Sequence, residues 1–214
     1  MYDVYQVQWT IIPRISPQPW IACSGCGGLR PFRCSGKIRL NANGKKFDAW
    51  LIYKCSTCDK TWNRPIFGRR SSRELDPAIF DALHSKCQEW IRTQAFDIQA
   101  LRRHAHRIDE SADVEIRKSP ALPERDGWSV LEIELIVPLP ANLRLDRLLA
   151  TELGISRTRL ATLHKNNSLR IDPRHSDMLR RPIKHGSRIS IDRSVTPELH
   201  DVLEVFPGVP GQVD

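Results

Sequence analysis

Apolar and polar residues alternate along several short stretches of the chain, which is the pattern of half-buried β-strands. The first stretch, Val4 to Ile12, precedes three prolines that exclude a helix. Two more stretches flank Asn41–Gly44, a typical turn sequence, and so predict a long hairpin. The predicted strands of the hairpin and of the later chain are residues 30–40, 47–54, 114–116, 128–137, 168–171 and 188–191.

Helical spacing of apolar residues appears in the middle and near the end of the chain. A polar connector, Gly68 to Glu74, is followed by Asp76 and Pro77, an N-cap and first-turn pair. One apolar stripe then runs over residues 79–91, and a second helix is expected from Asp97 to Arg107. Further on, residues 145–149 predict a helix that ends at Gly154, and Ser156 caps the next one, with Ile155 and Leu160 as a hydrophobic staple. The tail is rich in proline and glycine from Pro207. Together these elements predict an α+β fold.

Four cysteines form two pairs with the spacing of a metal site: Cys23, Cys26, Cys55 and Cys58. A Cys-x2-Cys turn directs two thiolates to one point, and two such turns complete a tetrahedral zinc site. The 28 residues between the pairs exceed the usual spacing, but the predicted hairpin would bring both turns to its base. The sequence therefore predicts a zinc ribbon with one structural Zn²⁺.

A redox dithiol is the competing interpretation of Cys-x2-Cys. A redox pair has no need of a second pair at hairpin distance, and four thiolate ligands leave no open position for catalytic zinc. Cys34 falls on the same strand face as Phe32, and Cys87 on the apolar helix stripe, so both are expected in the core.

Positive charge is concentrated in two segments of a chain whose net charge is +8. Residues 20–65 carry nine basic against two acidic residues, and residues 144–191 carry eleven against four. Separated basic modules favour a polyanionic partner such as nucleic acid, although a solvated basic surface fits the composition equally well. In the first segment Arg33, Lys37 and Arg39 occupy the face of the strand opposite the predicted core.

Two arginines stand where stability favours acidic residues. Arg157 and Arg159 lie in the first turn of the helix capped by Ser156, where the helix dipole disfavours cations by about 0.3–1 kcal/mol each. A helix N-terminus reinforced by two guanidinium groups suits phosphate binding. The alternative is that both are tolerated surface residues.

The basic segment near the end of the chain resembles the S-four RNA-binding module. The resemblance lies in Arg144-Leu145-Asp146, Ser156-Arg157 and residues 184–191, Lys-His-Gly-Ser-Arg-Ile-Ser-Ile. It implies two antiparallel helices on a small sheet, with Arg144, Arg157, Arg159 and Lys165 facing structured RNA and Asp146 in a structural role. Asn166-Asn167 replaces the module's usual glycine turn, and Ser187 replaces its usual aspartate.

The whole chain also resembles domain-of-unknown-function family 1062. The resemblance rests on the first Cys-x2-Cys turn, on residues 31–44 and 50–53, and on the second turn with Thr61-Trp62-Asn63. The resemblance implies no activity. The predicted organisation is a zinc ribbon over residues 1–67, a helical segment with strands over 68–142, and an S-four-like module with its tail over 143–214.

These observations predict a non-catalytic protein that binds structured RNA, such as ribosomal or transfer RNA. A DNA-binding, transcription-associated zinc-ribbon protein is one alternative, and an adaptor with purely structural zinc is another. No hydrolase elbow, phosphate-binding Gly-rich loop or His-Glu-x-x-His motif is found in the sequence. The absence of an apolar run long enough for a membrane span, and of a signal peptide, predicts a cytoplasmic protein.

Overall fold

The structure is a computed structural model that describes residues 4–44, 46–71, 73–120, 127–173 and 177–196. Contacts divide the chain into two compact units. Unit 1 comprises Met1–Arg14 and Ala112–Asp214, and unit 2 comprises Ile15–Ser111. Unit 2 is thus inserted into unit 1, whereas the sequence predicts three consecutive segments. The expected boundary after residue 67 falls inside a strand, and the proline- and glycine-rich tail lies outside the described residues.

Unit 1 contains a mixed five-stranded sheet. Its strands are β1 (Val4–Pro13), β7 (Val114–Pro120), β8 (Val130–Ile136), β9 (Leu169–Asp172) and β10 (Arg188–Asp192). They lie in the order β7-β1-β8-β10-β9. β1 runs parallel to β8 and antiparallel to β7. Every second residue of β1 is buried, from Tyr5 to Pro13, which is the alternation that the sequence predicts. The strands expected at residues 114–116, 128–137, 168–171 and 188–191 are all present.

Two helices complete the core of unit 1. They are α4 (Leu145–Leu153) and α5 (Arg157–Lys165), which contact each other, and α5 also contacts β9. Gly154 ends α4 with φ 66°, and the Ser156 hydroxyl accepts a hydrogen bond from the Arg159 N–H, as expected for these two caps. Ile155 and Leu160 are both buried in one cluster with the inner face of the sheet.

Unit 2 contains an antiparallel five-stranded sheet in the order β5-β4-β3-β2-β6. Its strands are β2 (Gln18–Cys23), β3 (Gly28–Asn43), β4 (Lys46–Cys55), β5 (Thr61–Ser71) and β6 (Ile108–Asp109). β3 and β4 form the predicted long hairpin. The polar connector expected at residues 68–74 is partly wrong, because β5 continues to Ser71 by pairing with β4.

Three short helices follow the sheet of unit 2: α1 (Pro77–His84), α2 (Gln88–Ala95) and α3 (Ile98–Arg102). Asp76 caps α1 with Pro77 in its first turn, as predicted. The single stripe over residues 79–91 is instead divided between α1 and α2, and Cys87 becomes the N-cap of α2. α3 ends at Arg102, earlier than the expected Arg107. None of the described helices is both long and apolar enough to cross a membrane.

A buried arginine joins the sheet of unit 2 to α2. Arg64 of β5 is 1% exposed and donates a hydrogen bond of 2.7 Å from Nη2 to the carbonyl of Gln94 in the last turn of α2. A cation at a helix C-terminus is stabilised by the helix dipole. Arg64 is opposite Leu51 in the strand register, so α2 lies against the sheet face that carries the buried side chains of β4.

Candidate functional site

The two Cys-x2-Cys turns have the same backbone geometry. In the first, the N–H of Gly27 donates to the carbonyl of Cys23 at 2.9 Å, and in the second the N–H of Asp59 donates to the carbonyl of Cys55 at 3.0 Å. Gly27 has φ 67° and Asp59 has φ 57°, both left-handed. This tight reversal places both thiols of each pair on the inside of the turn.

The turns bring all four sulfur atoms together at the base of the hairpin. The Sγ atoms of Cys23 and Cys58 are 3.5 Å apart, those of Cys26 and Cys55 are 3.9 Å apart, and all four lie within 4.8 Å of one another. A tetrahedron of thiolates about 2.3 Å from a metal has edges of roughly 3.8 Å, so the four thiols fit one ion. The four cysteines are free thiols and form no disulfide.

The packing around the cluster also matches a closed centre. A Cβ atom at Gly25 would lie 3.1 Å from the Cys58 sulfur. Any residue other than glycine at this position would therefore force the neighbouring atoms to shift. Cys23 and Cys55 are buried, Cys26 is partly buried and Cys58 is exposed. Three or more sulfur ligands in a closed site are typical of a structural metal.

Contacts within the cluster move the pKa values of Cys26 and Cys55 in opposite directions. The hydrogen bond with Cys58 and the burial of Cys26 raise the pKa of the Cys26 thiol to about 12. Burial would also raise the pKa of Cys55, but hydrogen bonds from the N–H groups of Cys58 and Thr57 lower it to about 6. The backbone therefore already stabilises one thiolate, and a bound cation would stabilise the others.

The other two cysteines do not lie in the core as expected. Cys34 and Cys87 are both partly exposed. A β-bulge between Cys34 and Lys37 interrupts the alternation of β3, and the break between α1 and α2 moves Cys87 off the apolar stripe. Burial still raises the pKa of the Cys34 thiol.

The three basic residues of β3 lie on one exposed face of unit 2. Arg33, Lys37 and Arg39 are opposite Lys54, Ile52 and Trp50 of β4 in the register. The Arg33 guanidinium donates to the Asp59 carboxylate at 2.7 Å and so braces the second Cys-x2-Cys turn. Arg39 lies 5.8 Å from the centre of the Trp50 ring.

Asp146 organises two of the four predicted RNA-binding residues of unit 1. Its carboxylate accepts two hydrogen bonds from Arg144, the shorter at 2.6 Å, and two from Arg157, the shorter at 2.8 Å. The Asp146 side chain is 8% exposed, whereas those of Arg144 and Arg157 are 44% and 57% exposed. Burial opposes the charge of Asp146, but the hydrogen bonds from Arg157 and Arg144 hold its pKa below the usual range.

Arg159 and Lys165 have different surroundings. Arg159 donates a hydrogen bond of 2.7 Å to the carbonyl of Val195, so it has a structural contact that the sequence does not indicate. Lys165 is exposed at the end of α5. The sequence correctly places Arg157 and Arg159 in the first turn of α5, but their fixed partners make them more than idle surface residues.

One face of α5 lines a groove of about 890 Å³ in unit 1. The opposite wall contains Leu179 and Arg180, which belong to a short 3-10 helix, Met178–Arg180. The complete lining is Asp146, Arg157, Thr158, Ala161, His164, Lys165, Asp177, Leu179 and Arg180. Both carboxylates in this lining are bonded to arginines outside it, Asp146 to Arg144 and Asp177 to Arg181. The groove is therefore electropositive.

Arg180 could not be singled out from the sequence, because residues 172–182 show no regular period. The resemblance to the S-four module already implied a structural role for Asp146, and its place in the first turn of α4, where the helix dipole favours a carboxylate, is a second signal. Trp50 could have been found from the alternation of β4, which places it on the same face as Lys54.

A family model described as "Protein of unknown function (DUF1062)" matches residues 40–175. The match includes Cys55, Cys58, Asp146 and α5, but starts after the first Cys-x2-Cys turn. No curated protein and no solved structure matches the chain. Because the model covers well over half of the 214 residues, the chain belongs to the DUF1062 family.

Proposed function

We propose that this protein is a non-catalytic, zinc-containing protein that binds structured RNA through the groove of unit 1. The main support is the Asp146 carboxylate, which holds Arg144 and Arg157 in fixed positions with roughly half of each side chain exposed. Arginines held by a buried carboxylate lose less side-chain entropy when they bind phosphate than free surface arginines do.

The groove beside these two arginines is concave and contains further basic residues. Arg157 and Lys165 lie at opposite ends of the α5 face, eight residues and so about 12 Å apart along the helix. Arg180 faces them from the other wall. A concave basic surface of this length suits the backbone of a folded RNA, which proteins recognise mainly by shape and phosphate contacts.

The preference for RNA rests on the resemblance of this segment to the S-four module. The paired helices α4 and α5 beside β9 and β10 are compatible with that resemblance. The metal we propose is Zn²⁺, because four thiolates in a closed tetrahedral set are typical ligands of structural zinc. Its proposed role is to hold the hairpin base of unit 2 and to take no part in a reaction.

Binding of a fluorescently labelled RNA hairpin, measured by anisotropy at several salt concentrations, tests the proposal. Lys165→Glu should weaken the hairpin complex by about tenfold. It should also reduce the slope of log affinity against log salt concentration by about one, which corresponds to the loss of one phosphate contact. Arg147→Glu is the matched control, because Arg147 lines a different groove, between α4 and β7. Competition with duplex DNA separates RNA from DNA recognition.

Three results would overturn this function. Equal affinity of wild type and Lys165→Glu would remove the groove from the interface. Stronger competition by duplex DNA than by unlabelled hairpin would favour the DNA-binding alternative. No binding of either nucleic acid would favour a protein-interaction adaptor.

A further inference from the structure

The outer face of the unit 2 sheet combines exposed basic side chains with a partly exposed tryptophan. Three cross-strand pairs define this face: Arg33 with Lys54, Lys37 with Ile52, and Arg39 with Trp50. All four basic residues are exposed, and Trp50 and Ile52 are partly exposed. Because residues paired across strands share a face, these six side chains form one surface, called here the Trp50 face.

The opposite side of the same strands is the interior of unit 2. Ala49, Leu51, Tyr53 and Cys55 alternate with the residues of the Trp50 face and are fully buried. The packing of the unit therefore does not require an aromatic residue at position 50. A smaller β-branched side chain would satisfy an outward strand position equally well.

Charge on the Trp50 face strongly favours an anionic partner. Arg33, Lys37, Arg39 and Lys54 are set against Asp48 alone among the β3 and β4 residues of this face. Arg33 is bonded to Asp59, whereas Lys37 lies opposite Ile52 and Arg39 lies opposite Trp50. Same-face side chains recur about every 6.8 Å along a strand, so they can meet successive phosphates of an extended chain.

The tryptophan favours a ligand that offers flat aromatic bases as well as phosphates. The Arg39 guanidinium is 5.8 Å from the centre of the Trp50 ring, near the outer limit of a cation–π contact, and Trp50 remains partly exposed. Aromatic rings on an open sheet bind unpaired bases by stacking, with basic neighbours on the backbone. A base-paired helix cannot offer its base faces in this way.

We propose that the Trp50 face binds a single-stranded stretch of nucleic acid, with a base stacked on Trp50 and phosphates on Lys37, Arg39 and Lys54. This inference deepens the proposed function, since it assigns unpaired nucleotides to unit 2 and folded RNA to unit 1. Stacking is tolerant of sequence and does not read the 2′-hydroxyl. Oligouridine and oligothymidine should therefore bind alike.

The test uses the full chain and a fluorescein-labelled oligouridine of about twelve nucleotides, which has little structure of its own. Trp50→Val should weaken binding by about tenfold, whereas Trp50→Phe, which keeps an aromatic ring, should stay within about threefold of wild type. Lys37→Glu should weaken binding, and Arg102→Glu, at the exposed end of α3, is its charge-matched control. Metal content and thermal unfolding establish that each variant is folded.

Comparison with the RNA hairpin separates this inference from the proposed function. Lys165→Glu should reduce hairpin binding and leave oligouridine binding within about twofold, and Trp50→Val should do the reverse. If wild type binds oligouridine but no hairpin, and Trp50→Val abolishes that binding, the function assigned to unit 1 fails and this inference stands. The inference is overturned if Trp50→Val binds oligouridine as tightly as wild type does, or if wild type does not bind oligouridine at all.

Discussion

The two units reach stability by different routes. Of the buried hydrophobic residues that the structure describes, 23 form one cluster in unit 1, whereas 12 lie in unit 2 and two of those are cysteines of the four-thiol cluster. Small cores need added cross-links, because buried area falls faster than chain entropy as a domain shrinks. We therefore expect unit 2 to depend on its four thiols for its fold, and unit 1 to depend on apolar packing.

The largest effect should follow from breaking the metal centre. Cys58→Ser should remove about one bound zinc per chain, and because structural zinc supplies about 10–16 kcal/mol in small peptides, unit 2 should lose its fold. Unit 1 should keep its slow amide exchange. Metal analysis with hydrogen exchange measures both, and Cys34→Ala, which leaves the four ligands in place, is the control. A full zinc content in Cys58→Ser would show that the centre is something else.

A cavity in the core of unit 1 should destabilise unit 1 and leave unit 2 unchanged. Leu160 is fully buried, so Leu160→Ala should lower the free energy of unfolding of unit 1 by about 3 kcal/mol through the lost burial and the cavity left behind. Zinc content should stay unchanged. Denaturant unfolding with metal analysis tests this. Release of zinc at the same denaturant concentration would show that the two units unfold together.

An intermediate effect is expected from Asp146→Asn. Loss of charge-assisted hydrogen bonds to two arginines should lower the stability of unit 1 by about 2 kcal/mol at neutral pH. Because the pKa of Asp146 is depressed in the folded state, its contribution is present above the ordinary aspartate pKa and disappears as the pH falls through the folded value. The difference between wild type and variant should therefore vanish in acid.

The control for Asp146 is an exposed carboxylate with one arginine. Glu115 pairs with Arg117 at 2.7 Å, but the Arg117 side chain is well exposed and that of Glu115 is partly exposed, so Glu115→Gln should leave the stability almost unchanged. Urea titrations at neutral and acid pH supply the measurement. A constant difference between wild type and Asp146→Asn at all pH values would contradict the role given to this carboxylate.

The smallest effects concern the two left-handed residues of the metal turns. Gly27→Ala should destabilise unit 2 by about 1 kcal/mol, because only the backbone conformation opposes a Cβ there. Asp59→Gly should be neutral or slightly stabilising, since glycine adopts the same conformation without strain, although it loses the contact with Arg33. Thermal unfolding of the zinc-bound protein resolves the pair. If Gly27→Ala and Asp59→Gly changed the melting temperature equally, the left-handed conformation would not have the same role in the two turns.

Local patterns predicted most elements, and contacts between distant residues account for what they missed. The caps Asp76, Gly154 and Ser156 act within one turn, so their sequence alone identifies them. The insertion of unit 2 into unit 1 depends on β1 pairing with strands more than a hundred residues away, and no local period contains that information. The bulge beside Cys34 is likewise visible only in the pairing of β3 with β4.

In the candidate sites, too, local patterns identified some residues, and contacts between distant residues determine the others. Spacing identified the four cysteines, because ligand geometry requires it. The carbonyl of Val195 as the partner of Arg159, and Arg180 as the far wall of the groove, come from tertiary packing. The basic residues of β3 were placed correctly on one face, but the aromatic residue at its centre belongs to the neighbouring strand.

The position of β1 between β7 and β8 has a consequence for synthesis on the ribosome. This strand emerges before unit 2, yet both of its neighbours are translated about a hundred residues later. At about 5–20 residues per second, the alternating apolar strand waits at least several seconds for a partner. All the residues of unit 2, including the four thiols, emerge during that interval. Capture of the proposed zinc ion by the four thiols could therefore precede closure of the sheet. If that ion is scarce during translation, we expect nascent chains with two incomplete units instead of one.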